Sequence, residues 1–149
     1  MDSRELDQMA KIMKIKGWKG VFDADEITKI PVKSLCVVNC CVSNSGAKGH
    51  HWLAVYHKSR TSLELFDSSG LDPSQLLNFI PPPHKKLIYS QQRIQNWAIS
   101  TCGLYAMYFC QLCSSGVKSW NFLNRDFDQN FFKENDNKIC EWAKQILAS

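Results

Sequence analysis

The sequence has no apolar stretch that approaches the roughly 20 residues needed to span a bilayer. Its start, Met1-Asp2-Ser3-Arg4-Glu5, is charged and no apolar segment follows it, so no secretory signal is predicted. Internal repeats and low-complexity segments are lacking as well. These absences argue against a helical membrane protein, and we expect an intracellular chain in a reducing compartment.

A large excess of charge is also missing. The chain has 149 residues, of which 21% are charged and 44% hydrophobic, and its net charge is +4. The charged fraction is near the average for soluble proteins, so extensive disorder is not predicted. Length and apolar content together predict one compact domain over residues 1–149. The mild basic bias is common on solvated surfaces, and it permits DNA as a partner without requiring it.

No complete metal site or disulfide framework is visible in the sequence. Cys110-x-x-Cys113 has the spacing of half a zinc site, but the second pair is missing and both residues fall within a predicted helix. No metal is therefore predicted. The seven cysteines are an odd number, and a domain of 17.1 kDa does not require a disulfide scaffold, so we expect most of them to be reduced.

The first third of the chain contains signals for a helix and a strand. Asp2 and Glu5 have the spacing of a capping box, apolar residues follow at helical spacing, and Gly17 is the expected end of this helix. Residues 20–33 mix turn-forming and isolated apolar residues, which we interpret as a loop with a short helical turn. Residues 34–43 are apolar and β-branched, which predicts a buried strand.

Two further strands are predicted at residues 51–56 and 62–67, so that three strands would form an antiparallel meander. Asp72-Pro73 predicts a helix that continues through Phe79. The remaining predicted elements are a strand at 86–89, a buried helix from Cys102 to about Gly116, and one long or two short helices over 126–147. This order predicts an α+β fold in which helices pack against one small antiparallel (mixed) sheet.

Cys102 is the candidate nucleophile because it stands where a polar stretch, residues 91–100, gives way to an apolar helix. A helix N-terminus carries partial positive charge and unpaired N–H groups, and both favour a thiolate, the nucleophilic form of cysteine. Gly103 would leave the neighbouring backbone amide uncrowded, which suits the stabilisation of an oxyanion. A cysteine on an apolar helix is nevertheless more often a packing residue, so a base is needed to support the assignment.

Four histidines are candidates for that base: His50, His51, His57 and His84. His51 opens a predicted strand just before Trp52, whose ring would shield the imidazole, and Asp67 closes the next strand. Counting outward from a turn near Ser59 places His51 and Asp67 directly opposite, with Cβ atoms roughly 4.5–5.5 Å apart. The carboxylate would then accept a hydrogen bond from Nδ1 and leave Nε2 for the thiol.

An oxyanion hole needs a second donor, and Gln91, Gln92 and Gln95 all lie upstream of Cys102. The residue types alone do not choose among them. Each signal has a structural reading too, since histidine beside tryptophan is usually structural and aspartate before Ser-Ser-Gly commonly forms turns. Their joint occurrence in a compatible order is what favours catalysis.

This order of residues resembles that of the adenovirus-type cysteine proteases (adenain), which are relatives of the SUMO-specific Ulp-type proteases. Residues 49–54 resemble the family's Gly-x-His-Trp-Met-Ala strand, and residues 65–70 resemble its Leu-Phe-Glu-Pro-Phe-Gly segment. Residues 101–104 resemble its Ala-Cys-Gly-Leu, and Gln95 precedes Cys102 by seven residues, the spacing of the adenain oxyanion glutamine. The resemblance covers most of the chain.

The resemblance implies a papain-like or Ulp-type fold with the nucleophile at the N-terminus of a central buried helix. It implies a cysteine endopeptidase in which Cys102 is nucleophile, His51 base and Asp67 its orienting group. Gln95 would be the oxyanion donor beside the Cys102 amide. The candidates for substrate binding are Trp52, Gly49 and Gly103.

The resemblance also implies substrates, cofactors and a location. The substrates would be viral structural precursors cut at glycine-containing sites during virion maturation, by a monomeric enzyme in the virion and the host nucleus or cytoplasm. Adenain is activated by DNA and by a viral peptide that is disulfide-linked to a cysteine. His84 stands at the matching position, so activation through that disulfide is not expected.

Two alternatives remain open at this point. Asp67 replaces the adenain glutamate and is the Ulp-type choice, which favours a deubiquitinase or a SUMO-type isopeptidase that acts on ubiquitin-like proteins. The other alternative is a non-catalytic nucleic-acid-binding or scaffold domain that has kept the fold.

Overall fold

The computed structural model describes residues 1–42, 51–77, 85–96, 101–116 and 122–148. The helices are α1 (Ser3–Met13), α2 (Cys102–Ser114), α3 (Phe122–Asp126) and α4 (Phe132–Ala148). The strands are β1 (Trp18–Asp23), β2 (Ser34–Val42), β3 (His51–His57), β4 (Ser62–Phe66), β5 (Leu76–Leu77) and β6 (Lys86–Tyr89). Gly49, His50, Phe79 and His84 lie outside the described residues.

Five strands lie side by side in the order β1-β2-β3-β4-β6, and the short β5 pairs with the end of β2. The three central strands form the predicted antiparallel meander, and the two outer strands run parallel to their neighbours. Parallel neighbours require a crossover connection rather than a tight turn. The sheet is therefore mixed, and the described residues form the predicted combination of helices and a small sheet.

The N-terminal helix begins as predicted. Asp2 accepts a hydrogen bond from the N–H of Glu5, and the Glu5 carboxylate accepts one from the N–H of Asp2. The predicted end at Gly17 was wrong, because the helix ends at Met13 and Lys14 adopts the left-handed conformation, with φ of 53°. Gly17 lies in the following turn, where its φ is 80°.

Two sequence interpretations are corrected by strand pairing. Residues 20–33 were interpreted as a loop with a short helical turn; the 3₁₀ helix Ala24–Lys29 confirms the helical turn, but the residues before it belong to β1 and not to a loop. The helix expected after Asp72 is a single 3₁₀ turn, Pro73–Gln75, that leads into β5. In both places hydrogen bonds to β2, distant in sequence, decide the local conformation.

The sheet is buried on both faces, because alternate residues of β2 and β3 point to opposite sides. One face packs against the helices through Leu35, Val37, Trp52 and Ala54. The other face packs against the 3₁₀ helix after β1 through Cys36, Val38, Leu53 and Val55. Both strands therefore contain runs of consecutive apolar residues.

Helix α2 is the central helix of the fold, as predicted. It lies against β2 and β3, while α1 and α4 pack around it. Its buried residues occur on most of its circumference: Cys102, Gly103, Tyr105, Ala106, Met107, Phe109 and Cys110. A helix that is apolar all round is one buried by neighbouring elements, and this burial holds its first residue in place. Among the described residues, no helix combines the length and apolarity needed to cross a membrane.

The turn after β4 fits closely against the chain that precedes α2. Gly70 has φ of 67°, and a Cβ built there would lie 2.6 Å from the carbonyl oxygen of Gln91 and 2.7 Å from the nitrogen of Arg93. Gly116, at the end of α2, has φ of 86°, but a Cβ there would meet no atom of the described residues within 4 Å. The two glycines thus share a conformation and differ in crowding.

We expect Gly116→Ala to cost about 1–2 kcal/mol of unfolding free energy, since only the left-handed conformation is penalised. Gly70→Ala should cost about 1–3 kcal/mol more, because the methyl group also collides with backbone atoms. Urea denaturation of both variants measures the difference. Equal losses in the two variants would contradict the close approach of this turn to residues 91–93.

Candidate active site

Cys102 is the first residue of α2, and 6% of its surface is exposed. The preceding residue, Thr101, makes no side-chain cap to the helix; its hydroxyl donates to the Asp136 carboxylate at 3.2 Å. The Cys102 sulfur accepts a hydrogen bond from the N–H of Trp52 at 3.4 Å. The thiol thus lies at the positive end of the helix and contacts a backbone donor from β3.

His51, at the start of β3, lies beside Asp67, the residue after β4. The distance from His51 Nε2 to Asp67 Oδ1 is 2.8 Å, and the two side chains are 13% and 3% exposed. The same carboxylate oxygen accepts the N–H of Ser69 at 2.8 Å. The predicted contact between His51 and Asp67 is therefore present and partly buried.

Two details of that prediction were wrong. The carboxylate contacts Nε2, not Nδ1, so Nδ1 is the ring nitrogen left for the thiol. The strands are also offset, because Ala54 pairs with Phe66, and continuing this register places Asp67 opposite Leu53. His51 is diagonal to Asp67 rather than opposite it, and the imidazole of His51 reaches across the larger separation with its far nitrogen, Nε2.

His51 and Cys102 lie close enough together that each alters the pKa of the other. Burial alone lowers the pKa of His51, but the hydrogen bonds with Asp67 and Cys102 outweigh it and raise that pKa to about 10. Burial alone raises the pKa of Cys102, but the bonds with His51, Trp52 N–H and Gly103 N–H outweigh it and lower that pKa. These opposite shifts favour the thiolate–imidazolium pair over the neutral thiol and imidazole.

The other thiols provide a comparison within the same molecule. The described cysteine side chains are all free thiols. Burial raises the pKa of Cys36 to about 12 and that of Cys113 also to about 12, and it raises the pKa of Cys110 well above its usual value. Burial without a cationic partner thus suppresses ionisation, which is the behaviour of packing cysteines.

Trp52 packs over the start of α2 and lines a cavity. A Cβ on Gly103 would lie 3.3 Å from the Trp52 ring and 3.2 Å from the Leu6 side chain, so glycine allows the strand and helices to approach. The Trp52 indole donates to the carbonyl of Met1 at 3.1 Å. The cavity, of about 450 Å³, is lined by Met1, Asp2, Ser3, Val21, Phe22, Asp23, Glu26, Asn39 and Trp52.

Gln95 is the buried member of the three candidate glutamines, at 5% exposed. Its Oε1 accepts a hydrogen bond from the Ser68 hydroxyl at 2.5 Å, and its N–H donates to the Ser68 carbonyl at 3.2 Å. Gln91 and Gln92 donate instead to Asp72 and Asn124, in exposed bonds. The structure therefore holds Gln95 against the turn that also carries Asp67.

Two buried polar residues near the start of α4 were missed by the sequence reasoning. Asp136 accepts hydrogen bonds from the Tyr105 hydroxyl at 2.7 Å and from the Asn96 N–H at 3.3 Å, besides the bond from Thr101. Asn135 donates to the carbonyl of Ile94 at 3.0 Å. Together they attach both the Gln95 segment and the start of α2 to one helix.

A sequence signal for Asp136 does exist. Asp136, Ile139 and Ala143 have the spacing of one helix face, and Asp136 is 2% exposed. A carboxylate on the apolar face of a helix requires buried donors, because an unpaired buried charge is costly. Tyr105 is one such donor, and burial together with Asp136 raises the pKa of its hydroxyl.

The remaining polar clusters have structural explanations. His57 is buried, donates from Nδ1 to the Ile30 carbonyl at 2.7 Å and accepts from Lys85 at Nε2, which makes it a link at the opposite end of the sheet. Asp23, Asp25 and Glu26 are the one group of three candidate metal ligands found among the described residues. Asp23 and Glu26 form a capping box at the 3₁₀ helix, which accounts for their proximity.

Comparison of the chain with protein-family models and with curated proteins gave no match.

We expect Cys102 to react with iodoacetamide faster than the packing cysteines, because its pKa lies below the usual 9.0 and theirs lie above it. The pH at which the alkylation rate is half-maximal should lie below 9.0. His51→Ala should raise this pH midpoint, because the variant lacks the imidazolium that stabilises the thiolate. Peptide mass spectrometry across a pH series measures both. A Cys102 midpoint at or above pH 9.0 in the unaltered protein would contradict the ion pair.

Proposed function

We propose that this chain is a cysteine endopeptidase of the adenain type, with Cys102 as nucleophile. The observation that carries the proposal is the 2.8 Å contact of His51 with Asp67 beside Cys102, a thiol whose pKa is lowered despite burial by its interaction with His51. These residues come from β3, the turn after β4 and the start of α2, so three separate elements converge on one thiol. A nucleophile, a base and an orienting carboxylate in contact are the requirements of this chemistry.

In the proposed acylation step, the Cys102 thiolate attacks the carbonyl carbon of the scissile peptide bond. The electron pair of the carbonyl moves to its oxygen, and the N–H groups of Cys102 and of the Gln95 side chain stabilise that oxyanion. Collapse of the intermediate breaks the C–N bond, and the His51 imidazolium gives its proton to the leaving amine. A thioester of Cys102 and a neutral imidazole remain.

In the proposed deacylation step, neutral His51 takes a proton from water as the water oxygen attacks the thioester. The C–S bond breaks, the carboxylic acid product leaves, and the thiolate–imidazolium pair returns. Asp67 keeps Nε2 protonated in both states, which directs Nδ1 toward the sulfur and the substrate. The observed contact with Nε2 supports this division of roles between the ring nitrogens.

The proposed substrates are viral structural precursors with glycine-containing cleavage sites, by analogy with adenain. The cavity lined by Trp52 is the proposed place for a substrate side chain, and the backbone N–H of the same residue donates to the Cys102 sulfur. DNA stimulation follows from the same analogy and from the basic net charge of +4. A peptide panel assayed with and without DNA measures both features.

Cys102→Ala should abolish cleavage of glycine-containing peptides while leaving the unfolding transition in place. Cys113→Ala is the matched control, since Cys113 lies on the same helix and burial raises its pKa. That control should retain the activity of the unaltered protein. Cleavage by the Cys102→Ala variant would refute the assignment.

Treating the same proteins with vinyl-sulfone probes of ubiquitin and SUMO distinguishes a Ulp-type isopeptidase from an adenain-type endopeptidase. Covalent capture of a probe at Cys102, without cleavage of short peptides, would identify an isopeptidase instead. Asp67 is the residue that motivates this arm, because Ulp-type proteases carry aspartate where adenain carries glutamate. Cleavage of short peptides without probe capture is the outcome expected here.

Gln95→Ala should lower kcat by roughly 10²–10³, because its donor acts on the transition state more than on the bound substrate. Gln92→Ala is the control, since Gln92 donates to Asn124 in an exposed bond. Steady-state kinetics on one peptide measures kcat and KM separately. A loss below about tenfold would mean that another donor stabilises the oxyanion.

A further inference from the structure

The turn after β4 contacts the Gln95 segment through Ser68, a residue with 1% of its surface exposed. The Ser68 hydroxyl donates to Gln95 Oε1 at 2.5 Å. Its carbonyl accepts the N–H groups of Ile94 at 3.0 Å and of Gln95 at 3.2 Å. One buried serine therefore binds both the backbone and the side chain of the proposed oxyanion donor.

The bond from the hydroxyl sets the orientation of the Gln95 amide. With Oε1 as acceptor, Nε2 is the end of the side chain that donates. If the amide turned over, the Ser68 oxygen would have to accept from Nε2, and the buried hydroxyl proton would lose its acceptor. A buried polar group without its partner costs more than an ordinary hydrogen bond contributes, so this orientation is favoured.

Ser68 also follows Asp67 directly in the chain. Asp67 Oδ1 contacts His51, and the next residue contacts Gln95, so consecutive side chains hold the proposed base and the proposed oxyanion donor. The turn is fixed at its end by the Gly70 N–H, which donates to the Asp67 carbonyl at 3.0 Å. Backbone geometry therefore couples the two positions.

We propose that Ser68 is a positioning residue of the oxyanion hole, which it serves by holding the Gln95 amide with Nε2 toward the substrate oxygen. This inference rests on the proposed peptidase function. A displaced or rotated donor loses its effect in the transition state, where its geometry matters most. Substrate binding depends on other contacts, so the effect falls on kcat.

The test is Ser68→Ala, which removes the hydroxyl and keeps the turn backbone. We expect kcat to fall about tenfold to a hundredfold, a part of the loss caused by removing the donor itself, with KM within about twofold. The pH midpoint of Cys102 alkylation should stay where it is, because the contacts among Cys102, His51 and Asp67 do not involve the hydroxyl. A merely structural serine would lower the unfolding midpoint without this change in kcat.

Two comparisons make the test specific. In the Gln95→Ala background, Ser68→Ala should cause little further loss of kcat, because the group it positions is already absent. Ser34→Ala is the matched control, since Ser34 is a buried serine at the opposite end of the sheet. It should retain the kcat of the unaltered protein.

The possible outcomes distinguish failure of the Ser68 positioning role from failure of the proposed peptidase function. If the unaltered protein cleaves peptides and Ser68→Ala matches it in kcat, the positioning role is refuted and the peptidase stands. The positioning role is refuted in the same way if Ser68→Ala lowers kcat equally with and without Gln95. If the unaltered protein cleaves no peptide and no conjugate of a ubiquitin-like protein, both proposals fail together.

Discussion

The hydrogen bond between His51 and Asp67 is the interaction on which the lowered pKa of Cys102 depends. Burial opposes charge on the sulfur and on the imidazole alike. The buried carboxylate stabilises the imidazolium, and the imidazolium in turn stabilises the thiolate. Cys36 shows the alternative in the same fold, since burial without such a partner raises its pKa to about 12. Without this pair, burial would raise the pKa of Cys102 as well.

The proposed site is held by polar groups in two directions. The turn that contains Asp67 and Ser68 attaches the Gln95 segment to the sheet, and Asp136 attaches it to α4 together with the start of α2. Buried hydrogen bonds of this kind are costly to break when only one partner moves, so each favours a single geometry. The burial of α2 serves the same end by holding Cys102 at a set position over the sheet.

A large part of the proposed site could be predicted from residue order. Cys102 at a helix start, His51 at the start of a strand and Asp67 after the next strand are local features, and a short hairpin necessarily brings the last two near each other. The register of β3 against β4 could not be predicted, because a one-residue change in the turn shifts every pair along the ladder. The ring nitrogen of His51 that contacts Asp67 depends on this register and could not be predicted either. Ser68 has no signal in the sequence, since its function arises from contact with Gln95, which is 27 residues away in the chain.

The sequence by itself determined the elements whose signals are local: the capped α1, the apolar β2, the meander and the buried α2. The tertiary structure decided β1 and β5, because these short segments adopt extended conformations only by hydrogen bonding to β2. It also decided the direction of the pKa shift of Cys102, because the groups that cause this shift come from other parts of the chain. Propensity and periodicity report on neighbours within a few residues, whereas strand pairing, burial and pKa depend on groups that only folding brings together.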